Sequence, residues 1–300
     1  MKKALLFALA IVTLGMFQSC NPDPEELIDP QTGPLKGALS GEFSISETQK
    51  VVFSKGNLQY QASTGTWRFA ENQFDVIGEG NTNISPDYSG WIDLFGFATS
   101  GWDNGNTYYH PYDYASCGCN SCGYEYGPTD GQGTYDIDLV GDYAKADWGV
   151  FNPIRNGGDK AGLWRCLTDE ELKYLISRRP NAKDLRYLTS IDGINGLIIL
   201  PDSWATPAGL TTPDTLYTMD QWKRLEKAGA VFLPEAGMRH DKRLLVFNQM
   251  AHYWTSTAIG GFIPDAAYSL SFNHMSHVLS DMGRPTRYYG CSVRLVHELK

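Results

Sequence analysis

Basic residues are scarce in this chain. It carries 25 Lys and Arg against 34 Asp and Glu, which gives a formal net charge of -9. A protein that binds nucleic acid needs the opposite balance, because a net acidic surface repels phosphate backbones. The composition therefore argues against nucleic acid as a partner.

Long hydrophobic runs are absent too, with one exception at the N-terminus. There Lys2 and Lys3 precede "ALLFALAIVTLGMF", which ends at "QSC" with Cys20. The run is too short for a membrane-spanning helix, and its charged start, apolar centre and small Ser19 predict a signal peptide over residues 1–19. Its end resembles the lipobox of bacterial lipoproteins, which implies that Cys20 is lipidated. Ordinary secretion with an incidental cysteine is the alternative.

Apolar side chains are few in residues 20–37, "CNPDPEELIDPQTGPLKG". Pro and acidic residues dominate there, so the segment cannot bury enough surface to fold and is predicted to be a flexible tether. Acidic residues after a lipidated cysteine resemble the export signals of surface-exposed lipoproteins. That resemblance implies a lipid-anchored protein on the outer face of an outer membrane. Residues 38–300 are long enough for a domain with its own core.

The periodicity of residues 38–300 predicts an α+β fold. Short alternating runs punctuated by Gly and Asn predict antiparallel strands, whereas residues 78–149 predict a long functional or mobile loop. Two helices are predicted from capping boxes, Thr168 with Glu171 and Thr218 with Gln221. Aromatic residues make up 13% of the chain, and many Tyr and Trp fall in Gly- and Asn-rich loops, which is typical of recognition surfaces.

Several motifs carry a family resemblance. They are "FSKGNLQYQASTGTWRFAENQFDVIG", "SGWIDLFGFATSGW", "ADWG", "GLIILPDSW", "GAVFLPEAGMR", "YWTSTA", "AYSLSF" and "YYGCSVRLV". Together they resemble the bacterial major-paralogous-domain (FISUMP-type) lipoproteins, close to the formylglycine-generating-enzyme branch of the C-type lectin fold. The resemblance implies a C-type-lectin-like domain over residues 38–300 that presents residues 255–290 as a ligand-binding surface. Some relatives are variable proteins of diversity-generating retroelements, which mutate codons in this segment.

The segment from Thr255 to Gly290 lacks Lys, Glu, Gln and Trp, although these types make up 42 of the 300 residues. An adenine-mutating retroelement turns AAY codons into NNY codons, which encode none of the four. Strands and Gly-rich loops are also poor in long charged side chains. Active diversification of this copy and ordinary loop composition therefore both stay open.

Strand alternation selects the candidate ligand-binding residues. Along "AAYSLSF", Leu270 and Phe272 are expected to face the core while Ser269 and Ser271 point outward. The expected ligand is a protein or a glycan, and no cofactor is expected. With the neighbouring loops, the predicted ligand-binding residues are Ala258, Ile259, Phe262, Tyr268, Ser269, Ser271, Asn273, His274, His277, Arg287 and Tyr288. In "SVRLV", Val293 and Arg294 are expected to be structural.

Catalytic signatures are missing. The resemblance to formylglycine-generating enzymes would imply a pair of active-site cysteines near the C-terminus, but Cys291 is the only cysteine in the last hundred residues. No catalytic residue is therefore predicted. A formylglycine-generating-type or carbohydrate-processing accessory enzyme remains an alternative, as does a structural envelope component.

The strongest metal pattern is "CGCNSC", with Cys117, Cys119 and Cys122. Thiolates at this spacing suit zinc, but in an oxidising compartment they favour a disulfide-stapled loop. The acidic stretch over residues 136–147 lacks the Glu that closes an EF-hand loop. His274 and His277 fall in a predicted loop rather than on one helix face. No metal site is predicted, and the three cysteines remain weak candidates.

Overall fold

The computed structural model describes residues 35–115, 122–131, 136–260 and 265–299, which belong to one compact unit. The predictions for residues 1–34 lie outside this part of the chain. The same holds for the candidate residues Cys20, Cys117, Cys119 and Phe262 and for the side chain of Cys122.

The strands of the described residues are short. They are β1 (Phe43–Ser44), β2 (Lys50–Phe53), β3 (Leu58–Gln61), β4 (Thr66–Phe69), β5 (Arg186–Ile191), β6 (Ile194–Ile199), β7 (Leu216–Tyr217), β8 (Val231–Pro234), β9 (Met238–His240), β10 (Arg243–Leu245), β11 (Ala251–Ala258), β12 (Ala267–Asn273), β13 (Val278–Gly283) and β14 (Val296–Leu299). They form small sheets with the orders β1-β2-β14, β3-β4, β7-β5-β6-β8, β10-β9 and β11-β12-β13. All pairings are antiparallel except that of β5 with β7. The predicted α+β class with short antiparallel strands is confirmed.

The α-helices are α1 (Trp148–Phe151), α2 (Asp169–Lys173) and α3 (Met219–Lys227). Both predicted capping boxes are present, at the starts of α2 and α3. The helix α2 runs on into a π-helical turn, Tyr174–Arg178. Among the described residues, no helix has the length and apolar character needed to cross a bilayer.

One helix lies where the sequence predicts only loop. The single turn α1 begins at the buried Asp147, whose Oδ1 accepts a hydrogen bond from the Gly149 amide at 3.0 Å. Asp147 Oδ2 accepts another from the Cys166 amide at 2.7 Å. The cap itself is local, but a helix of one turn is too short for an apolar periodicity to mark it in the sequence.

Buried side chains order the long loop. The described residues of the 78–149 span contain 3₁₀ turns and α1 but no strand. Asn81 Nδ2 donates to Asp93 Oδ1 at 2.8 Å, and Asp93 Oδ2 accepts from the Ile77 amide at 3.0 Å. Both side chains are fully buried, and burial raises the pKa of Asp93 to about 6. In a sheet, hydrogen bonds between strands satisfy the buried backbone groups. In this loop, buried side chains such as Asp93 supply hydrogen bonds of that kind.

The largest core cluster joins this loop to the C-terminal sheet. Trp254 on β11 donates its indole N–H to the Phe95 carbonyl at 2.7 Å and lies edge-on to Phe97, with ring centroids 5.5 Å apart. A second cluster includes Leu270 and Phe272, which confirms the predicted inward face of β12.

The C-terminal segment "GCSVRLVH", whose alternation is typical of a strand, is not one continuous strand in the structure. Only its last residues belong to β14, because the preceding backbone pairs with several segments in turn. Cys291, Val293 and Leu295 accept backbone hydrogen bonds from Phe95, Leu58 and Ser54. Arg294 is buried and donates to Gln73 Oε1 at 2.7 Å, in agreement with its predicted structural role.

Candidate binding surface

Four of the predicted ligand-binding residues are buried, and their expected exposure is wrong. They are Ala258, Ile259, Ser269 and Arg287. Ser269 Oγ lies 2.9 Å from His252 Nδ1. A β-carbon added at Gly283 would lie only 2.5 Å from the same hydroxyl, so the neighbouring strand covers it. Strand alternation placed Ser269 on the correct face, but sequence does not show that β11 and β13 enclose it.

Arg287 holds the loops together from inside. Its Nε donates to the Ala266 carbonyl at 3.0 Å, and its Nη1 donates to the Tyr126 carbonyl at 3.2 Å. The guanidinium carbon lies 5.3 Å from the centre of the Phe97 ring. Ala258 is fixed nearby, because its amide donates to Asp138 Oδ1 at 2.9 Å. In this conformation these groups position the backbone rather than meet a ligand.

Five predicted residues remain accessible on β12 and its hairpin with β13. Ser271 lies in register between His252 of β11 and Ser280 of β13. The Tyr268 ring lies between two cations, 5.3 Å from Lys173 Nζ and 5.7 Å from the guanidinium carbon of Arg284. By strand alternation, Tyr268 lies on the opposite side of β12 from Ser271 and Asn273. We call the other four residues the hairpin face; they are Ser271, Asn273, His274 and His277.

A buried carboxyl that sequence reasoning missed lies against the hairpin face. Glu235 is 1% exposed, and its Oε1 accepts a hydrogen bond from the His274 amide at 2.5 Å. Glu235 Oε2 and His274 Nδ1 are both buried, and neither has a hydrogen-bond partner among the described residues. Burial raises the pKa of Glu235 to about 7. The residue follows a predicted strand, and its position there gave no signal of burial.

Aromatic side chains cluster on a different part of the domain. His240 lies at the end of β9, with its ring centroid 5.4 Å from that of Tyr288 and 5.2 Å from that of Tyr289. The two tyrosine rings are 4.7 Å apart. Tyr288 also packs against the buried Tyr126. Of these residues, only Tyr288 was predicted from the sequence.

The long loop carries a second group of rings. The His110 ring stacks between Tyr109 and Tyr112, with centroid distances of 4.1 and 5.0 Å. Lys242 Nζ lies 5.0 Å from the centre of the Tyr114 ring. We call the half-buried rings of the two groups, together with Tyr108 and Tyr114, the aromatic surface; its residues are Tyr108, Tyr109, His110, Tyr112, Tyr114, His240, Tyr288 and Tyr289. The density of Tyr and His over residues 108–114 was the sequence signal that could have found the five loop residues.

Two polar side chains fix the aromatic surface. Asp113 Oδ2 accepts hydrogen bonds from the Tyr109 and His110 amides at 2.9 and 2.7 Å. Arg239 is fully buried and donates to the carbonyls of Asp113 and Leu94, each at 3.4 Å. The rings are therefore held on an ordered support, although they lie in a loop.

Neither cysteine relevant to the oxidase alternative has the surroundings of a reactive thiol. Cys291 and Cys166 are both buried and unpaired. Burial raises the pKa of each thiol well above its ordinary value. A nucleophilic cysteine needs a lowered pKa and access to its substrate, so these two thiols lack both requirements.

No metal centre emerges from the part of the chain that the structure describes. There, no three His, Cys, Asp or Glu side chains are grouped so that they could hold an ion.

Comparison of the chain with protein-family models, curated proteins and solved structures found no match. The function of the chain must therefore be inferred from the chemistry of its surfaces.

Proposed function

We propose that this chain is a binding protein that holds a glycan on its aromatic surface. The observation that carries the proposal is a set of eight half-buried Tyr and His rings. Six of them form two groups of three rings in contact, and Asp113 and Arg239 hold the loop that carries one group against β9, which carries part of the other. Tyrosine offers a rigid apolar ring and a hydroxyl at low entropic cost. A sugar has the matching chemistry, since it carries both apolar C–H faces and hydroxyl groups.

We extend the proposal to a cellular setting and a fold family. The charged, apolar and Cys20-terminated start of the sequence supports a lipid-anchored protein on the outer face of an outer membrane. Small antiparallel sheets, long loops and two capped helices support a C-type-lectin-like domain of the formylglycine-generating-enzyme branch. In that setting the rings would meet glycans from the cell's surroundings.

A protein ligand on the hairpin face is the second candidate. Met275 at the hairpin tip is 71% exposed, and Val278 and Met282 on β13 are also exposed. Exposed Met side chains adapt to varied apolar partners. The residues of this face also lie within residues 255–290, the segment in which the family resemblance implies diversification.

The test is a glycan array probed with the full chain and two double variants. His240→Ala with Tyr288→Ala removes accessible rings from the aromatic surface, whereas Ser271→Ala with Asn273→Ala alters the hairpin face. Circular dichroism would verify that both variants fold. We expect glycan binding that the first variant loses and the second retains. Retention by the first variant and loss by the second would overturn the assignment to the aromatic surface.

A further inference from the structure

One groove concentrates positive charge on this acidic chain. Its lining residues are Lys36, Arg68, Glu71, Trp91, Arg155 and Asn156, and its volume is about 280 Å³. We call it the cationic groove. It shares no residue with the aromatic surface or the hairpin face, so any ligand it binds is independent of the glycan function proposed for the aromatic surface.

The backbone brings three separate segments together at this groove. Asn156 acts as a partner for the edge of β4, since its Oδ1 accepts from the Phe69 amide at 2.7 Å and its Nδ2 donates to the Phe69 carbonyl at 2.9 Å. The N-terminal segment packs on the same loop at Gly37, which has a φ of +84°. A β-carbon there would lie 2.5 Å from the Asn156 carbonyl oxygen, so only glycine permits this approach.

An aromatic ring holds one of the cations. The guanidinium carbon of Arg68 lies 3.7 Å from the centre of the Trp91 ring, in a cation–π contact. Arg68 Nε also donates to Gln59 Oε1 at 2.9 Å. The guanidinium is therefore already oriented before a ligand binds. As a result, the Arg68 side chain loses less conformational entropy on binding.

The other two cations have no protein counter-charge. Lys36 and Arg155 are exposed, and among the described residues neither side chain forms a hydrogen bond or an ion pair. The one acidic lining residue, Glu71, is paired with Lys55 through an Nζ–Oε2 distance of 2.5 Å. The positive charge of the groove is thus left available to a ligand.

We propose that the cationic groove binds an oxyanion, a carboxylate or phosphate group carried by a small ligand. Guanidinium groups match the geometry of these anions through paired N–H donors. The volume lies at the lower end of the range for small-molecule sites, which suits a single acidic sugar or a phosphorylated headgroup. The recognised chemistry is the same for a soluble ligand and for a lipid headgroup.

The experiment measures binding to the full chain by calorimetry and by vesicle sedimentation. The soluble probes are inorganic phosphate and glucuronate, and the vesicles contain either phosphatidylglycerol or phosphatidylcholine. Lys36→Gln with Arg155→Gln removes the two unpaired cations. Lys183→Gln with Lys223→Gln is the matched control, because it changes the net charge equally at exposed positions outside the groove.

We expect saturable binding that the groove variant weakens by about tenfold or more, since each charged hydrogen bond contributes about 1.5 kcal/mol. The control should bind as the unmodified chain does. Binding of soluble probes would support a soluble ligand, and binding to phosphatidylglycerol vesicles alone would support a headgroup. Equal weakening in both variants, or no saturable binding to any probe, would overturn the proposal.

Discussion

The side chains of the hairpin face and of the aromatic surface are held in position by different kinds of contact. The hairpin face lies on the sheet β11-β12-β13 and on the turn that joins β12 to β13. Backbone pairing fixes the positions of Ser271 and Asn273. The aromatic surface comes largely from a loop without strands, and Asp113 and the buried Arg239 fix its rings. A regular sheet positions small side chains through its register, whereas a loop needs polar anchors to hold large ones.

The buried carboxyls of the two regions differ in how many of their oxygens accept hydrogen bonds. In the loop, both carboxyl oxygens of Asp93 accept hydrogen bonds. Beside the hairpin, Glu235 Oε2 and His274 Nδ1 are buried without a partner among the described residues. An unsatisfied buried group costs free energy, so we expect neutralising the Glu235 carboxyl to stabilise the hairpin region.

The largest expected effect is at the residue that joins the two regions. Trp254→Ala on β11 removes a buried indole and its hydrogen bond to the Phe95 carbonyl. We expect it to lower the free energy of unfolding by about 3 to 5 kcal/mol, measured by urea denaturation. Tyr109→Ala, at a half-buried ring, is the control and should cost far less. A cost below about 1 kcal/mol for Trp254→Ala would contradict the packing of this indole between loop and sheet.

A smaller effect is expected when the loop anchor alone is removed. Arg239→Ala leaves the carbonyls of Leu94, Asp113 and Asp241 without this donor. We expect a loss of about 2 kcal/mol in the free energy of unfolding. Amide hydrogen exchange should accelerate in residues 108–115 but not in β12.

The control for the anchor is Arg178→Ala, which removes an exposed ion pair with Glu170. Such pairs contribute about 0 to 1 kcal/mol, so exchange should not change in either region. If Arg239→Ala accelerated exchange equally in β12, the loop and the sheet would not be separately anchored.

The regular elements could be predicted from the sequence because their signals are local. The Thr168 and Thr218 capping boxes each fix a helix start within four residues. The hairpin of β5 and β6 follows from Asp192 and Gly193, which both have positive φ in the structure. Alternation likewise placed Phe272 in the core.

The sites could be predicted only in part because they depend on contacts between distant segments. Tyr288 was found, but its ring partner His240 lies 48 positions earlier in the chain. Ser269 was assigned to the outward face of β12, yet His252 and Gly283 enclose it. The position of Glu235 against His274 has no local signature at all.

Acid should weaken the sheet under the hairpin face through His252. Burial lowers the pKa of this imidazole from 6.5 to about 4. Its neutral form is favoured in the folded state, so the stability it contributes is present above pH 6.5 and is lost as the pH falls from 6.5 to 4. We expect His252→Gln to reduce this acid-induced loss by about 2 kcal/mol, measured as the free energy of unfolding at pH 7 and pH 4.

The exposed His277 provides the control for that measurement. His277→Gln should leave the acid-induced loss nearly unchanged, because it changes an exposed side chain and leaves the buried His252 in place. Equal pH dependence in both variants would show that burial of His252 does not govern the acid response of the sheet.

The smallest effect runs in the opposite direction and concerns Glu235. Its pKa is raised from 4.5 to about 7, so the folded chain binds a proton that the unfolded chain has released. The stability contributed by the neutral carboxyl is therefore present below pH 4.5 and is lost as the pH rises from 4.5 to 7. Glu235→Gln keeps an acceptor for the His274 amide but carries no charge. We expect it to stabilise the chain by about 1 to 2 kcal/mol at pH 8 and to have little effect at pH 4.

Unfolding at the two pH values, with Glu47→Gln as the exposed control, distinguishes this effect from a general change in net charge. Stabilisation at pH 8 by Glu235→Gln alone would show that the unsatisfied carboxyl beside the hairpin carries a cost. Because Asp93 has partners for both oxygens while Glu235 has one, that cost would distinguish Glu235 from the fully hydrogen-bonded carboxyl of the loop. Equal effects of both substitutions would instead mean that the Glu235 carboxyl is solvated in the folded chain. The buried carboxyls beside the hairpin face and in the long loop would then not differ in the cost of their charge.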